Sequence, residues 1–360
     1  MAFGTRSIRN SRNKGGGKRL DTILDIQNLH VSFLTSSGEV QAVRGIDLSV
    51  RRGESLGIVG ESGSGKSVTF LSVLRLLTDT GRIMAGEIRF GEDDLTKMTR
   101  HQIKQIRGGK ISMIFQDPMS SLNPLIAVGD QVGEMLWAHD KSLDAAQRKR
   151  RVIELMQMVQ IPEAERRFTS FPHEFSGGMR QRIMIAMALA CKPELLIADE
   201  PTTALDVSIQ DQILQLLRNL QKEIGMSIAF ITHDLGVIAE LCTRVIVMYG
   251  GLVMEEAPID SLFERPLHPY TQGLLQSMPD IKQNKQKRLT PIPGSPPDMS
   301  HPQKGCPFAP RCPYARYICE MERPPYQVFE GGRRCMCWLH TREAPIANNP
   351  FKSATSGGAV

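Results

Sequence analysis

Eight consecutive residues of this 360-residue chain have the order of a phosphate-binding loop. Gly60-Glu61-Ser62-Gly63-Ser64-Gly65-Lys66-Ser67 matches G-x-x-x-x-G-K-[ST] without a gap. Glycines at this spacing let backbone N–H groups curve around phosphates, and the following helix points its positive end at them. Lys66 would reach the β- and γ-phosphates, and the Ser67 hydroxyl would bind Mg²⁺. A flexible Gly/Ser loop is the alternative, but it does not require Lys-Ser at a helix start.

Two acidic residues at the end of an apolar run are candidates for metal binding and water activation. The run Leu195 to Ala198 is typical of a buried strand, and Asp199 and Glu200 follow it. Ligands of parallel sheets bind beyond the carboxyl ends of strands, so both acids are predicted to lie near the phosphates. We expect Asp199 to hold Mg²⁺ and Glu200 to orient or deprotonate the attacking water. Such acids also cap helices, so the pair is informative only beside a phosphate loop.

Three other groups are predicted to surround the same phosphates. Gln116 follows the strand-like run 110–115, where its amide would contact Mg²⁺ and the water. His233 follows the run 227–232, within reach of a γ-phosphate. Ser176-Gly177-Gly178 precedes the helix-like run 180–190 and offers a second helix N-terminus to an anion. The simpler interpretations are a polar strand end, a capping or turn histidine, and an ordinary helix cap.

The elements around these groups alternate between strand and helix. Such alternation predicts an α/β fold in which helices cover both faces of a mostly parallel sheet. Short strands and turns precede the phosphate loop, a helix is predicted from Val68 to Leu77, and residues 128–190 show helical periodicity. The strand candidates are 23–29, 31–34, 40–44, 46–50, 56–59, 86–90, 110–115, 195–198, 227–232, 245–248 and 252–254.

The net charge of +6 comes entirely from one short segment. Residues 1–20 carry six basic side chains and no acid, which leaves 38 basic and 38 acidic residues elsewhere. Because the rest of the chain has no net charge, it offers no excess of basic residues for binding nucleic acid. We expect this basic segment and residues 346–360 to be disordered, and the former lacks the apolar segment of a secretory signal. No run of about 18 apolar residues occurs, so the chain is not expected to span a membrane by itself.

In their order along residues 22–260, these motifs resemble those of ATP-binding-cassette ATPases. The signature departs from the usual Leu-Ser-Gly-Gly-Gln, because Phe175 and Met179 flank its Ser-Gly-Gly. The part that would meet phosphate is intact, so the resemblance implies that function is retained. The ordered set is the phosphate loop, Gln116, Ser176-Gly177-Gly178, Asp199-Glu200, Ala204-Leu205-Asp206 and His233.

The flanking sequences resemble the oligopeptide/dipeptide branch of that family, and within it the first ATPase subunits of oligopeptide permeases. Subunits of dipeptide, nickel and glutathione importers are similar, so these substrates stay open. The resemblance implies an ATPase that energises peptide import, with a P-loop cassette at 21–265 that has an antiparallel β subdomain and a helical subdomain at about 117–190. A loop-rich Cys/Pro extension at 266–345 follows. The matching sequences are Phe115-Gln-Asp-Pro-Met-Ser-Ser-Leu-Asn-Pro124, His173-Glu-Phe-Ser-Gly-Gly-Met-Arg-Gln-Arg182 and His268-Pro-Tyr-Thr271.

The resemblance further implies that two cassettes enclose two ATP molecules head to tail. The phosphate loop and the acidic pair would act on one ATP, whereas the Ser-Gly-Gly signature would reach the ATP held by the partner. Asp206 belongs to the nucleotide-binding set, and Phe33 is the candidate for stacking on adenine, although a core phenylalanine is equally natural there. The implied partners are a second, related ATPase subunit, two transmembrane permease subunits and an extracytoplasmic peptide-binding protein. This subunit would lie at the cytoplasmic face of a bacterial inner membrane.

Two other classes of protein share part of this pattern. Soluble cassette ATPases of translation or DNA repair usually join two cassettes or insert a long coiled coil, and this sequence shows neither feature. An unrelated phosphate-loop kinase would not need the Ser-Gly-Gly signature or His233. The transporter interpretation is therefore favoured.

Five of the seven cysteines lie in a proline-rich segment, where ten of the 22 prolines fall between Pro291 and Pro325. Prolines at this density predict a loop-rich region without a long helix. Thiolate ligation of a metal would staple such a segment, but the spacing is not the paired C-x₂-C of a zinc ribbon, so free thiols remain the alternative. Resemblance to family members with a [4Fe–4S] cluster implies four thiolate ligands, with Cys335 as a rival for the fourth. The implied ligands are Cys306, Cys312, Cys319 and Cys337.

Overall fold

The structure, a computed structural model, describes residues 21–203, 205–278 and 291–343. Residues 1–20 and 346–360, both expected to be disordered, lie outside the described residues. The strands are β1 (Thr22–Thr35), β2 (Gly38–Arg51), β3 (Ser55–Val59), β4 (Gly81–Phe90), β5 (Asp93–Asp94), β6 (Ile111–Ile114), β7 (Leu195–Asp199), β8 (Ser227–Thr232), β9 (Arg244–Tyr249), β10 (Leu252–Pro258), β11 (Tyr326–Val328) and β12 (Arg334–Met336).

The helices fall between these strands and after β10. They are α1 (Lys66–Val73), α2 (Arg100–Ile106), α3 (Pro118–Ser121), α4 (Val128–His139), α5 (Ala145–Met158), α6 (Ala164–Arg167), α7 (Gly177–Leu189), α8 (Val207–Ile224), α9 (Leu235–Leu241), α10 (Ile259–Glu264), α11 (Pro269–Gln276) and α12 (Tyr317–Met321). In the part of the chain that is described, none of them is both long and apolar enough to cross a bilayer.

Two sheets organise the described residues. The smaller has the order β2-β1-β4-β5 and is antiparallel. The larger has the order β11-β12-β10-β9-β3-β8-β7-β6, and its neighbours from β9 to β6 run parallel. Every residue of β3, β7, β8 and β9 is buried, as expected for strands covered on both faces. The predicted α/β fold with a mostly parallel sheet is confirmed.

Helices α3 to α7 lie between β6 and β7, within the region predicted to be helical. Their boundaries follow from capping residues. In α5, Asp144 and Gln147 exchange hydrogen bonds between side chain and backbone, which satisfies two N–H groups at the helix start. The apolar residues of α5 that are buried, Val152, Leu155 and Met156, join the core that α7 shares with the large sheet.

Several boundaries differ from the sequence predictions. Strand β2 is one strand where 40–44 and 46–50 were predicted, and β4 begins at Gly81 instead of Gly86. The helix after the phosphate loop ends at Val73 instead of Leu77, because Arg75 has a φ of +51°, a left-handed conformation that a helix cannot continue through. The segment 22–35 forms one long strand where two short ones were predicted. The pairing of this strand with β2 shifts register near Asn28, which has a φ of +46°, and the strand continues past that point.

The cysteine-rich segment packs directly on the cassette. Its strand β12 pairs antiparallel with β10, so the large sheet continues into it. Phe308 is 1% exposed and contacts the rings of Tyr249 and Tyr270. Between Pro291 and Pro325 the described residues form one α-helix, α12, of only five residues. The sharing of a sheet was not predicted.

Candidate active site

Strand β3 leads into the phosphate loop, residues 60–67, and α1 follows from Lys66. Glycine is required near both ends of this loop. At Gly60, φ is +154° and a Cβ would lie 2.1 Å from the backbone oxygen of Met248. At Gly65, φ is +97° and a Cβ would lie 2.6 Å from the backbone oxygen of Ala42. A larger residue at either position would displace backbone, so the loop is fixed between β9 and β2.

Lys66 is buried, and its ammonium group lies over the phosphate loop. Nζ donates hydrogen bonds to the backbone oxygens of Gly60 at 2.7 Å and Glu61 at 2.9 Å. Burial lowers the pKa of Lys66, although nearby carboxylates, Glu200 foremost, oppose that effect. Nζ also lies 3.4 Å from Ser64 Oγ. A cation held by neutral oxygens of this kind can exchange them for phosphate oxygens, with which it forms stronger charge-assisted bonds.

Ser67 and Asp199 form a pair of oxygen ligands beside the loop. Ser67 Oγ donates a hydrogen bond to Oδ1 of Asp199 at 2.9 Å. Asp199 is 6% exposed, and burial raises the pKa of its carboxyl group. A divalent cation would offset this penalty, and hydroxyl and carboxylate oxygens are ligands that Mg²⁺ prefers. These two residues therefore fit the ion that the sequence predicts for them.

Glu200 contacts three polar side chains. Thr203 Oγ1 donates a hydrogen bond to Oε2 at 2.8 Å, and Gln116 Nε2 donates to the same oxygen at 3.0 Å. His233 Nδ1 lies 3.2 Å from Oε1. The structure thus brings the three residues predicted for catalysis into one cluster and adds Thr203, which sequence reasoning missed. The only indication in the sequence was that Thr203 follows Glu200 by three residues, a spacing that lets the two side chains meet in a turn.

The Glu200 carboxyl group is held in its ionised form. Burial acts to raise its pKa, but hydrogen bonds from Thr203 and His233 and the charge of Lys66 outweigh burial and lower the pKa. The backbone at Glu200 has a φ of +46°, a left-handed conformation that is costly for a non-glycine residue. Strained backbone at a carboxylate within a polar cluster points to a functional site.

The signature motif and Asp206 lie at the starts of two helices. Ser176 caps α7 by accepting the N–H of Met179 at 3.4 Å, and Asp206 caps α8 by accepting the N–H of Ile209 at 3.0 Å. Both cap residues are exposed, and within the described residues neither makes a hydrogen bond to the phosphate loop of its own chain. This arrangement is compatible with residues that serve a nucleotide held by another cassette. Their role stays a prediction.

Phe33 lies on β1, opposite Val40 of β2 and Gly81 of β4. Strand β2 reaches the phosphate loop two residues further on, at Ala42. The Phe33 ring is only partly buried, so it presents a surface to a planar ligand. Stacking on adenine stays a prediction.

Two side chains of the predicted extension at 266–345, called the appendage below, contact the phosphate loop, and sequence reasoning missed both. Tyr270 Oη accepts the backbone N–H of Glu61 at 2.9 Å. Arg311 Nη1 donates to the Glu61 carboxylate at 2.7 Å. Arg311 lies 250 positions from Glu61 in the chain, so no local pattern could have indicated the contact.

Four of the appendage cysteines line one small cavity, together with His268, Phe308 and Trp338. Cys335, the rival ligand, is fully buried on β12 opposite Glu255 and does not line this cavity. The cavity cysteines are Cys306, Cys312, Cys319 and Cys337.

The thiols of the cavity are not gathered around one point. In the described part of the chain, no group of three or more His, Cys, Asp or Glu side chains is arranged to hold a metal ion. Burial raises the pKa of the Cys306 thiol to about 12 and that of Cys312 to about 11, so both are protonated at neutral pH. Ligation would have to remove those protons and draw the sulfurs together.

His268 lines the same cavity. Its Nδ1 accepts the backbone N–H of Tyr270 at 3.0 Å, and burial lowers the pKa of His268 to about 3, so the neutral ring carries its proton on Nε2. Among the described residues, this buried Nε2 has no hydrogen-bond partner. A thiolate or sulfide in the cavity would accept from it, as buried donors require.

Two family models match successive parts of the chain. Residues 43–203 match the model described as ABC transporter, and residues 254–319 match the model described as Oligopeptide/dipeptide transporter, C-terminal region. The chain therefore combines a cassette with the extension that the sequence resemblance implied.

The chain is similar to curated relatives over nearly its whole length. It is 50% identical to the oligopeptide transport ATP-binding protein OppD of Bacillus subtilis, over 92% of this chain and 93% of the relative. It is 48% identical to the dipeptide transport ATP-binding protein DppD of Bacillus subtilis, over 91% and 98%. The OppD protein of Escherichia coli is 47% identical, over 91% and 96%.

Solved structures share the cassette part of the fold. A dimeric, post-hydrolysis state of the ATP-binding cassette MJ0796 bound to ADP and Pi has a TM-score of 0.59 and 29% identity, and covers 66% of this chain and 98% of its own. CbiO1 from Clostridium perfringens, part of the complex cbiONQ, gives the same TM-score and identity over 68% and 91%.

Proposed function

The chain belongs to the ATP-binding-cassette ATPases of the oligopeptide/dipeptide transporter family, and on that basis we propose that it hydrolyses ATP to energise peptide import. The observation that carries this proposal is the cluster at the carboxyl ends of β6, β7 and β8. There Gln116, Glu200 and His233 meet beside the phosphate loop, and Ser67 meets Asp199. A kinase would not require that set together with the signature motif.

We assign the steps to this chain's residues as follows. Lys66 exchanges the loop carbonyls for the β- and γ-phosphates of ATP. The ionised carboxylate of Glu200, oriented by Thr203 and Gln116, positions the attacking water and accepts its proton. His233, beside Glu200, contacts the γ-phosphate. The Ser176-Gly177-Gly178 signature closes over the ATP of the second cassette.

Ser67 and Asp199 are the residues that would hold Mg²⁺, with Gln116 as a further ligand. The ion would neutralise phosphate charge and orient the γ-phosphate for attack. The support for this assignment is the contact between Ser67 and Asp199 and the buried carboxylate, which a cation would stabilise.

The proposed partners are a second, related ATPase subunit, two transmembrane permease subunits and an extracytoplasmic peptide-binding protein. Together they would hold this chain at the cytoplasmic face of a cell membrane. A cleft lined by apolar and methionine side chains supports a docking surface for a permease, since methionine adapts to varied partners. Its lining includes Phe115, Met135, Met184 and Met187.

Purification and reconstitution test this function. The full chain should copurify from detergent-solubilised membranes with two multispanning permeases and a second cassette. In vesicles, ATP hydrolysis by that complex should rise on addition of the binding protein loaded with a di- or oligopeptide. Recovery of ribosomes or DNA would overturn the proposal, and stimulation only by nickel- or glutathione-loaded binding protein would change the substrate.

We also propose that the cavity cysteines bind a [4Fe–4S] cluster. Two features support this: the four thiols share one cavity, and the buried Nε2–H of His268 lacks an acceptor among the residues that the structure describes. Cys337 is preferred to Cys335 because it lines the cavity. Bound there, the cluster would tie the loops of the appendage together and supply a one-electron couple.

Replacing Cys312 by Ser is expected to abolish iron binding, because a hydroxyl is a poor substitute for a thiolate ligand. Anaerobically purified protein should contain about four irons per chain, the number that the cluster type defines, and the variant should be colourless. Cys242→Ser is the matched control, since that buried cysteine lies in the cassette and should leave the iron content unchanged. Freely titratable thiols at all four positions in the anaerobic protein would rule out the cluster, and one bound zinc would identify a different metal.

A further inference from the structure

Two side chains of the appendage, Tyr270 and Arg311, form hydrogen bonds to Glu61 of the phosphate loop. Arg311 is the residue that makes the charged contact, and its side chain is only 7% exposed. Besides the Glu61 carboxylate, its guanidinium donates to Tyr249 Oη at 3.0 Å and to the backbone oxygens of Pro293 at 2.8 Å and Ile292 at 3.2 Å. A buried guanidinium with this many partners has a fixed position.

Glu61 is the only acidic residue of the loop 60–67, and it lies where ATP phosphates are expected. Its charge is close enough to act on the Lys66 ammonium group. A carboxylate at this position repels phosphate unless it is paired and turned away. Arg311 pairs with it, and Tyr270 fixes the backbone N–H of the same residue.

We propose that Arg311 and Tyr270 are positioning residues for the phosphate loop, so that ATP affinity depends on the folded appendage. This rests on the proposed function, since it assumes that the loop binds ATP. Arg311 acts in two ways: it neutralises a carboxylate that opposes phosphate binding, and it holds the loop backbone in one conformation. Arg311 directly precedes Cys312, which lines the thiol cavity. The ion pair of Glu61 with Arg311 therefore also links the phosphate loop to the wall of that cavity.

A double-mutant cycle on the full chain tests the proposal by measuring the Kd of MgATP. Arg311→Met is expected to weaken binding about tenfold, the effect of losing one charge-assisted hydrogen bond beside an anion. Glu61→Gln alone should change Kd by less than about twofold, because Arg311 already masks the charge. In the Arg311→Met background, Glu61→Gln should restore most of the affinity, since it removes the unpaired carboxylate. Tyr270→Phe should weaken ATP binding by about threefold, through loss of one neutral hydrogen bond.

Arg334→Met is the matched control. Arg334 also ties the appendage to the cassette, through Glu256, but does not touch the phosphate loop. The appendage could instead affect ATP binding only by stabilising the fold as a whole. In that case Arg334→Met and Arg311→Met will weaken ATP binding equally, and Glu61→Gln will restore affinity in neither variant. Equal weakening, absence of rescue, or an Arg311→Met affinity within twofold of the unaltered chain would each overturn the inference. Failure of the unaltered chain to bind ATP would instead overturn the proposed function, and the inference with it.

Iron per chain is recorded for each variant as a second readout. Arg311→Met with unchanged iron and weaker ATP binding places the effect on the phosphate loop itself. Loss of iron together with loss of the Glu61 rescue would show that Arg311 acts by supporting the cavity, and would likewise overturn the proposal.

Discussion

Glu200→Gln is expected to reduce ATP hydrolysis by about 10²–10⁴-fold while ATP binding persists. The amide preserves the shape of the side chain and its contact with Thr203, but it lacks the charge that orients water and accepts a proton. The assembled complex should therefore accumulate in an ATP-bound, closed state. Steady-state phosphate release and the Kd of MgATP, measured on the same complex, separate the two effects.

Glu194→Gln is the control for this experiment. Glu194 precedes β7, the strand that ends at Asp199 just before Glu200, and it forms an exposed ion pair with Arg52. Such surface pairs contribute about 0–1 kcal/mol, so hydrolysis should be unchanged. Near-normal hydrolysis by the Glu200→Gln complex would remove Glu200 from the catalytic role and leave Gln116 or His233 as the group to test.

Lys66→Ala is expected to act one step earlier, on ATP binding itself. The change removes the cation for the β- and γ-phosphates, and bonds of this type contribute about 1.5–3 kcal/mol, or roughly 10- to 100-fold in Kd. Calorimetric titration with MgATP measures the loss. The stabilisation of the protein by ATP against heat should disappear in parallel, because that stabilisation depends on the ratio of ATP to Kd.

Lys97→Ala provides the comparison, since Lys97 lies in the turn after β5, is 78% exposed and pairs with Asp94. It should bind ATP as the unaltered chain does. Tight ATP binding by the Lys66→Ala chain would contradict the assignment of residues 60–67 as the phosphate loop.

The parts of the site that follow from local pattern were predictable. The strand–loop–helix around Lys66 is encoded within about 20 consecutive residues, and the glycines with positive φ lie where the motif requires them. The meeting of Gln116, Glu200 and His233 followed from one topological rule, because each comes at or just after the carboxyl end of a strand in the same parallel sheet.

The remaining features depend on contacts that no periodicity encodes. The ion pair of Arg311 with Glu61 and the pairing of β12 with β10 join residues far apart in sequence. The end of α1 depended on one arginine in a left-handed conformation, which propensity does not indicate for that residue type. The choice of Cys337 over Cys335 needed the course of β12, since the two cysteines are separated by a single residue.

The pairing of β12 with β10 also bears on how the protein avoids self-association. Without the appendage, β10 would be an edge strand of seven residues with a free row of backbone N–H and C=O groups, which invites pairing with another chain. Strand β12 pairs with the middle of that row, with Glu255 opposite Cys335 and Glu256 opposite Arg334, and the sheet then ends on β11, which is only three residues long. The opposite side ends on β6, with four residues. Both margins of the large sheet are thus too short to serve as templates, and a chain cut before the appendage should aggregate through β10 even where its cassette remains folded.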